Sequence, residues 1–177
     1  LTVMRRANLT LNLKKCSLAQ PEIKMVGHII GSGTHRPDPD KMSVLQQMER
    51  SLTKPALRRA LGMFGYYRSY IADFAEIAKP LTDLTSKDTP TNIPWEEKHQ
   101  RAFVQLREAM CSPPVMRAPR WGQPFFLHTD ASGTAAGCCL GQWDDKEGEH
   151  PVAYASQKFT SPQLNWATIE KEAFAVI

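Results

Sequence analysis

The sequence predicts an α+β fold in which a small β-hairpin and a group of helices are followed by a β-β-β-α unit. Residues 23–30 have the β-branched and apolar composition of extended structure. Residues 54–71 place their apolar side chains at helical spacing. Residues 124–130, 135–143 and 152–159 then predict three consecutive strands before a helix that begins near residue 167. We therefore expect helices to dominate the middle of the chain and a sheet to dominate its last third.

The first part of the chain predicts mainly extended structure. Residues 14–18 and 23–30 predict two strands on either side of a turn at Gln20-Pro21. Gly27 interrupts the second strand, which indicates a bulge or the close approach of another part of the backbone. Residues 31–36 predict a loop.

Several helix signals follow. Asp38 and Pro39 form a helix start, with aspartate at the cap and proline at the first position. Thr53 is placed to cap the next helix. Residues 73–85 predict a short helix, and residues 97–110 predict an amphipathic one whose apolar side carries Ala102, Phe103, Leu106, Ala109 and Met110.

The helix at residues 54–71 has an unusual exposed face. Its apolar face gathers Leu57, Ala60, Leu61, Phe64, Tyr67 and Ile71, and the opposite face carries Arg58, Arg59, Gly62, Gly65, Tyr66 and Ser69. Glycine on a helix costs roughly 1 kcal/mol relative to alanine, so helix stability does not favour these two glycines. They would let the backbone lie close to a nucleic-acid groove while cations reach phosphates. A glycine seam for helix–helix contact is the alternative.

The charge distribution agrees with a nucleic-acid partner. The 177 residues are 42% hydrophobic and 23% charged, with a net charge of +4. Residues 1–70 hold 12 Lys/Arg and 4 Asp/Glu, a net charge of +8, whereas residues 71–177 hold 10 and 14, a net charge of −4. A basic first part predicts a polyanionic partner. A solvated basic surface is the alternative.

Neither a membrane partner nor secretion is predicted. No apolar run approaches the ~20 residues that a membrane-spanning helix needs, and the N-terminus lacks the pattern of a secretory signal. The four cysteines, Cys16, Cys111, Cys138 and Cys139, have no CxxC spacing and no partnered histidines, so neither a zinc site nor a disulfide framework is supported. We expect plain buried thiols in an intracellular, reducing setting.

Residues 124–130, PFFLHTD, predict a buried strand that places Asp130 at its C-terminal end. Glu170 and Glu172 lie on the following predicted helix, where all three carboxylates could converge on one divalent metal. Carboxylate-only sites suit Mg²⁺ or Mn²⁺, and such metals activate water in phosphodiester cleavage. Periodicity does not choose between the two glutamates, and solvated acids without function are the alternative.

Motifs in order along the chain carry a family resemblance. They are LTLNLKKC, VGHII followed by RPDPDKM, LRRALGMFGYYRSYIADFAEIAKPLTDLT, IPW with AFVQLREAM, TDASGTAAGCCLGQW, HPVAYASQKF and NWATIEKEAFAVI. In this order they resemble the Pol polyprotein of gypsy-type LTR retrotransposons, from the end of the reverse transcriptase palm into the RNase H domain. The resemblance covers nearly the whole chain.

The resemblance implies four regions. Residues 1–35 would be the end of the palm with a primer-grip-like hairpin, residues 36–85 a helical thumb, and residues 86–122 a connection helix with linkers. Residues 123–177 would be the N-terminal part of a truncated RNase H-like domain.

The resemblance also implies roles for individual residues. The primer-grip hairpin would bring Met25, Val26, Gly27 and His28 near the primer terminus. The thumb helix would track the template–primer minor groove, with duplex contacts from Arg58, Arg59, Gly62, Gly65, Tyr66 and Arg68. Asp130 and Glu172 would be catalytic and would bind Mg²⁺ (or Mn²⁺), with Glu170 as the alternative to Glu172.

The function implied is that of a reverse transcriptase/RNase H segment that binds template–primer or RNA–DNA hybrid and contributes to metal-dependent hydrolysis of the RNA strand. Its partners would be these nucleic acids and the remainder of the Pol polyprotein, in the cytoplasm and within virus-like particles. The isolated chain is expected to be inactive as a polymerase and at best feebly active as a nuclease, because the other catalytic acids of the family lie outside it. The alternatives are a non-catalytic nucleic-acid-binding remnant and a structural fragment that does not fold alone.

Overall fold

The computed structural model describes residues 2–49, 53–111, 114–146 and 148–177. Strands and helices follow one another in separate runs, as the predicted α+β class requires. The α-helices are α1 (Thr2–Arg6), α2 (Pro39–Gln46), α3 (Lys54–Tyr66), α4 (Phe74–Asp83), α5 (Glu97–Cys111), α6 (Ser161–Leu164) and α7 (Thr168–Val176). The strands are β1 (Glu22–Met25), β2 (His28–Gly31), β3 (Thr34–Pro37), β4 (Met116–Arg117), β5 (Phe126–Ala131), β6 (Ala135–Asp144) and β7 (Gly148–Lys158). Short 3₁₀ turns occupy Leu13–Lys15 and Arg68–Tyr70.

The first sheet has the order β1-β2-β3-β4, and its neighbouring strands are antiparallel. Residues 23–30 form two strands rather than the single predicted one, since the chain reverses between Met25 and His28. The prediction of a loop at residues 31–36 is also wrong, because Gly31 belongs to β2 and the last three of these residues belong to β3. Residues 14–18 do not form the predicted strand and begin in a 3₁₀ turn.

The helices enclose the largest apolar core. Leu57, Ala60 and Phe64 of α3 are buried, as the predicted apolar face requires. The ring of Phe64 packs edge-to-face on Phe103 of α5 with 5.9 Å between centroids. Every member of the predicted apolar side of α5 is buried or partly buried in this cluster.

The helices begin at the predicted residues, but α3 ends earlier than predicted. Asp38 caps α2 as expected, and its side chain accepts a hydrogen bond from the Asp40 amide. Thr53 occupies the cap position of α3 without a side-chain hydrogen bond to the helix. α3 ends at Tyr66 instead of residue 71, and the 3₁₀ turn Arg68–Tyr70 follows directly. This turn carries Tyr70 into the core beside α3.

The second sheet confirms the predicted β-β-β-α unit. It is an antiparallel meander of order β5-β6-β7, followed by α6 and α7. The predicted burial of β5 is wrong, because Phe126 is 42% exposed and Leu127 is 52% exposed. β5 is an edge strand that pairs with β6 alone among the described residues. A strand at an edge leaves apolar side chains more accessible than the same sequence would be in the middle of a sheet.

α4 packs on the second sheet and fixes it to the helices. The backbone amide of Ala75 donates a hydrogen bond of 2.9 Å to Ser156 Oγ on β7. Lys158 pairs with Asp83 at the other end of α4. Asp73, which precedes α4 with a left-handed φ of 52°, lies against Gly137 of β6.

The prediction of buried cysteines is also wrong. All four thiols are free, Cys111 is exposed and the other three are half-buried. In the part of the chain that the structure describes, no helix combines the length and the apolar character needed to cross a membrane.

Candidate functional site

The turn between β1 and β2 has a strained backbone. Val26 has a φ of 48° and Gly27 a φ of 80°, and the flanking residues Met25 and His28 face each other across the hairpin. Two consecutive positive φ angles are typical of a type I′ turn, which prefers Asn-Gly. Valine is β-branched and rarely adopts this conformation. The side chains of Met25 and Val26 are 50% and 74% exposed, so the tip of the hairpin presents apolar groups to solvent.

Two tyrosines at the end of α3 hold this turn. The Tyr66 hydroxyl donates a hydrogen bond of 2.5 Å to the Val26 carbonyl oxygen. The Tyr67 hydroxyl donates one of 3.1 Å to the Gly27 carbonyl oxygen, which also accepts from the Asp38 amide at 2.9 Å. A Cβ at position 27 would lie 2.7 Å from the Tyr67 hydroxyl. Gly27 therefore lies in a turn rather than in a bulge of one strand, and the group that approaches it is a side chain, the Tyr67 hydroxyl at the end of α3, and not the predicted backbone.

His28 lies among aromatic rings. It stacks on Tyr66 with 5.4 Å between centroids and on Tyr70 with 5.8 Å. The Tyr70 hydroxyl bridges two imidazoles, 3.1 Å from His28 Nδ1 and 2.7 Å from His35 Nδ1. Burial lowers the pKa of His28, and burial together with the neighbouring His28 lowers the pKa of His35. Burial, with the nearby tyrosines adding to it, raises the pKa of Tyr70 to about 12.

The glycine face of α3 is bare. A Cβ built on Gly62 or Gly65 would meet no atom within 4 Å outside its own helix turn, so no described element packs there. The alternative of a glycine seam between helices of this chain is therefore wrong for the described residues. Arg59 is exposed on the same helix. The face remains accessible to a molecule outside the chain.

The three arginines predicted to contact a duplex lie in different environments. Arg58 is exposed but donates a hydrogen bond of 2.7 Å from Nη2 to the Thr85 carbonyl oxygen after α4. Arg68 lies in the 3₁₀ turn beyond α3 and lines a cavity of about 430 Å³ with Ser156 of β7 and Phe174 of α7. Arg59 is therefore the arginine best placed to contact a duplex from α3, because it is exposed on that helix, whereas Arg58 bonds to Thr85 and Arg68 lies beyond the helix.

Asp130 is exposed near the C-terminal end of β5. Its Oδ1 accepts a hydrogen bond of 2.9 Å from the amide of Ala131. A cavity of about 60 Å³ beside it is also lined by Asp73 and Glu76, from the start of α4. The cross-strand partner of Asp130 is Gly137, whose lack of a side chain leaves room for Asp73.

The two candidate glutamates differ in their environment. Glu170 Oε2 accepts a hydrogen bond of 2.7 Å from the Ala167 amide, so its carboxylate stabilises the start of α7. Glu172 is half-buried on the same helix. Carboxylate oxygens of Asp130 and Glu172 have the chemistry that Mg²⁺ prefers. Among the described residues, however, no three His, Cys, Asp or Glu side chains form a group that could hold a metal ion.

Sequence reasoning missed the hydrogen bonds that surround the hairpin. Tyr67 was assigned to the apolar face of its helix, Tyr70 was given no role, and His35 was placed in a loop. A buried tyrosine hydroxyl usually has a hydrogen-bond partner, which was the available signal. The partner of each tyrosine lies 35–42 residues away in the chain, so no local pattern could identify it.

Comparisons with known proteins agree with this architecture. Residues 95–177 match the family described as the RNase H-like domain found in reverse transcriptase. The whole chain is 35% identical to part of the retrovirus-related Pol polyprotein from transposon opus of Drosophila melanogaster. The chain belongs to the retrotransposon Pol polyproteins. It spans only 18% of the length of that Pol polyprotein.

Two solved structures share the fold of this Pol segment. A foamy viral protease–reverse transcriptase dRH in complex with double-stranded DNA has a TM-score of 0.83 and 25% identity, over 99% of this chain and 30% of that one. A foamy viral protease–reverse transcriptase in complex with RNA/DNA hybrid has a TM-score of 0.79 and 26% identity, over 93% of this chain and 22% of that one.

Proposed function

We propose that this Pol segment binds template–primer or RNA–DNA hybrid through the tip of the β1–β2 hairpin and the glycine face of α3. We further propose that Asp130 and Glu172 contribute to metal-dependent hydrolysis of the RNA strand. The bare glycine face supports the binding proposal most directly. Nothing in the described chain packs on Gly62 or Gly65, although glycine is unfavourable in a helix.

The physical basis of binding is close approach combined with charge. Without Cβ atoms at positions 62 and 65, a sugar–phosphate backbone can lie against the helix backbone. Arg59 on α3 can then reach a phosphate, which releases counterions and makes binding salt-dependent. Met25 and Val26 would contact the sugars of the duplex from the hairpin side.

The structural relatives support this assignment. The two foamy viral proteins that share the fold were solved with double-stranded DNA and with RNA/DNA hybrid. The basic first 70 residues give this segment the electrostatic character that such a partner requires.

The proposed hydrolysis of the RNA strand depends on residues 123–177. Mg²⁺ or Mn²⁺, when bound, would activate water and stabilise the leaving oxygen. Asp130 and Glu172 would hold it through carboxylate oxygens, and Glu170 is less suited because it caps α7. Two carboxylates make an incomplete site for an ion that requires near-octahedral ligands. We therefore expect full activity only in a longer Pol segment.

The experiment is Mg²⁺-dependent cleavage of a labelled RNA–DNA hybrid by a longer Pol segment that contains this chain. Asp130→Asn and Glu172→Gln should each reduce cleavage by about 100-fold or more, because even loss of a residue that only supports a metal ligand costs about 10- to 100-fold. Asp145→Asn, at an exposed acid in the β6–β7 turn, is the matched control and should retain activity. Cleavage that survives Asp130→Asn would refute the assignment of the site.

A non-catalytic nucleic-acid-binding remnant is the second candidate. The lack of a group of three metal-ligating side chains among the described residues favours it. The two candidates differ in one result, since a remnant would bind hybrid but leave it intact even with the remainder of the Pol polyprotein attached. Residence in the cytoplasm and in virus-like particles remains a prediction for both.

A further inference from the structure

Two hydrogen bonds join the hairpin tip to the end of α3, one to the carbonyl oxygen of each residue of the turn. The hydroxyls of Tyr66 and Tyr67 donate to the carbonyl oxygens of Val26 and Gly27 respectively, at 2.5 and 3.1 Å. These residues are consecutive on each side, so two neighbouring tyrosines hold two neighbouring peptide groups. The contact links the hairpin to the same helix that carries the bare glycine face.

The turn needs such support. A β-branched residue with positive φ is strained, and it persists where surrounding contacts impose that conformation. Val26 adopts a φ of 48° with its side chain largely in solvent, so packing of that side chain does not explain the conformation. The hydrogen bond from Tyr66 and the contacts around Gly27 are what the structure offers instead.

We propose that Tyr66 and Tyr67 are positioning residues that hold the strained Val26–Gly27 turn against α3, so that the hairpin tip and the glycine face form one rigid surface for a nucleic-acid duplex. The inference rests on the proposed binding function. It assigns the tyrosine hydroxyls a role different from direct contact with nucleic acid. It also explains why the second turn residue is glycine, since a Cβ there would lie 2.7 Å from the Tyr67 hydroxyl.

The first measurement needs no nucleic acid. The Asp38 amide donates to the Gly27 carbonyl oxygen at 2.9 Å, so its hydrogen exchange reports whether the turn is held in place. We expect Tyr66→Phe/Tyr67→Phe to raise the exchange rate of this amide at least about fivefold, consistent with loss of hydrogen bonds. Tyr154→Phe, a tyrosine on β7, is the matched control and should leave the rate unchanged. An unchanged rate in the double variant would overturn the inference.

The second measurement is the affinity of the 177-residue chain for a fluorescent DNA duplex. The double variant should bind about five- to tenfold more weakly, and Tyr154→Phe within about twofold of the original chain. Equal affinities of the double variant and the original chain would overturn the positioning role. Failure of the original chain to bind would instead refute the proposed function, and the exchange measurement would still test whether the tyrosines hold the turn.

A rescue experiment separates positioning from direct contact. Val26→Asn creates Asn-Gly, the sequence that favours this turn on its own. In that background the turn should form without the tyrosine hydroxyls, so Tyr66→Phe/Tyr67→Phe should change duplex affinity less than about twofold. The difference from the loss of about five- to tenfold in the original chain measures the coupling between the turn and the tyrosines. An undiminished loss of affinity in the Val26→Asn background would mean that the hydroxyls contact nucleic acid directly, and would overturn the inference.

Discussion

The side chain of Asp73 occupies the space beside Gly137, and a Cβ on that glycine would lie 2.7 Å from Asp73 Oδ1. Asp73 precedes α4 with a left-handed φ of 52°, and Gly137 pairs with Asp130 across the second sheet. The helical part of the chain therefore meets the second sheet on β6, beside the strand that carries the candidate catalytic acid. A side chain at position 137 would therefore require the exposed Asp73 carboxylate to move.

We expect Gly137→Ala to lower the free energy of unfolding by no more than about 1 kcal/mol, because the exposed Asp73 side chain can move away from the added methyl group. Asp73→Gly in the same chain should restore much of the loss, since it removes the overlap and relieves the positive φ. Urea unfolding checks both. Gly133→Ala is the control, because a Cβ there meets nothing within 4 Å. A loss that Asp73→Gly does not reduce would argue against this contact.

Gly62→Ala should separate stability from binding. The substitution adds a better helix former to an exposed position, so the free energy of unfolding should rise by about 1 kcal/mol. Duplex affinity should fall, because the new methyl group stands on the bare face of α3. Thermal unfolding and fluorescence anisotropy measure the two effects. If stability and affinity rose together, the glycine face would not be the binding surface.

Arg58 and Arg59 should respond differently to substitution with alanine. Arg59→Ala should weaken duplex binding and reduce the salt slope of log K by about 1, as loss of one phosphate contact does. Arg58→Ala should have a smaller effect on the slope, since its guanidinium donates to the Thr85 carbonyl oxygen. Affinities at several salt concentrations give both slopes. Equal changes in slope would show that Arg58 leaves Thr85 to reach the duplex.

Stability should decrease on mild acidification. Burial lowers the pKa values of His28, His35 and His99, so the folded chain favours their neutral forms. The unfolded chain binds more protons as the pH falls below about 6.5, and stability is then lost toward the lower pKa values of the folded state. Thermal unfolding between pH 7.5 and 5 should show this fall. His99→Gln should reduce its steepness, and a stability independent of pH would contradict the direction of these shifts.

Local sequence patterns predicted most helices and strands but not how deeply each is buried. The strand-like composition of residues 135–143 and 152–159 identified two strands of the β-β-β-α unit, and helical spacing identified the buried face of α3. The burial of β5 was wrong, because an edge strand and a central strand can share the composition of PFFLHTD. Apolar composition predicts a strand that packs against other residues. Whether that strand is central or at an edge depends on how the whole chain folds.

The candidate site was predicted unevenly for the same reason. Helical geometry alone placed the arginines and glycines of α3 on one face. The structure confirms the exposure of Arg58, Arg59 and Gly62, whereas Gly65 is half-buried. The role of Tyr66 in holding Val26 depends on a contact across 40 residues, which no helical pattern contains. Asp130 and the two glutamates were identified from their positions in the sequence, whereas the choice of Glu172 over Glu170 came from family resemblance, and both assignments stay predictions.

The free edge of β5 has a practical consequence for solutions of this chain. Along that edge, backbone N–H and C=O groups have no partner strand among the described residues, and Phe126 and Leu127 are exposed beside them. Such an edge is a template on which an extended segment from another molecule can add. We therefore expect the purified chain to self-associate as its concentration rises, and Leu127→Lys to reduce this self-association.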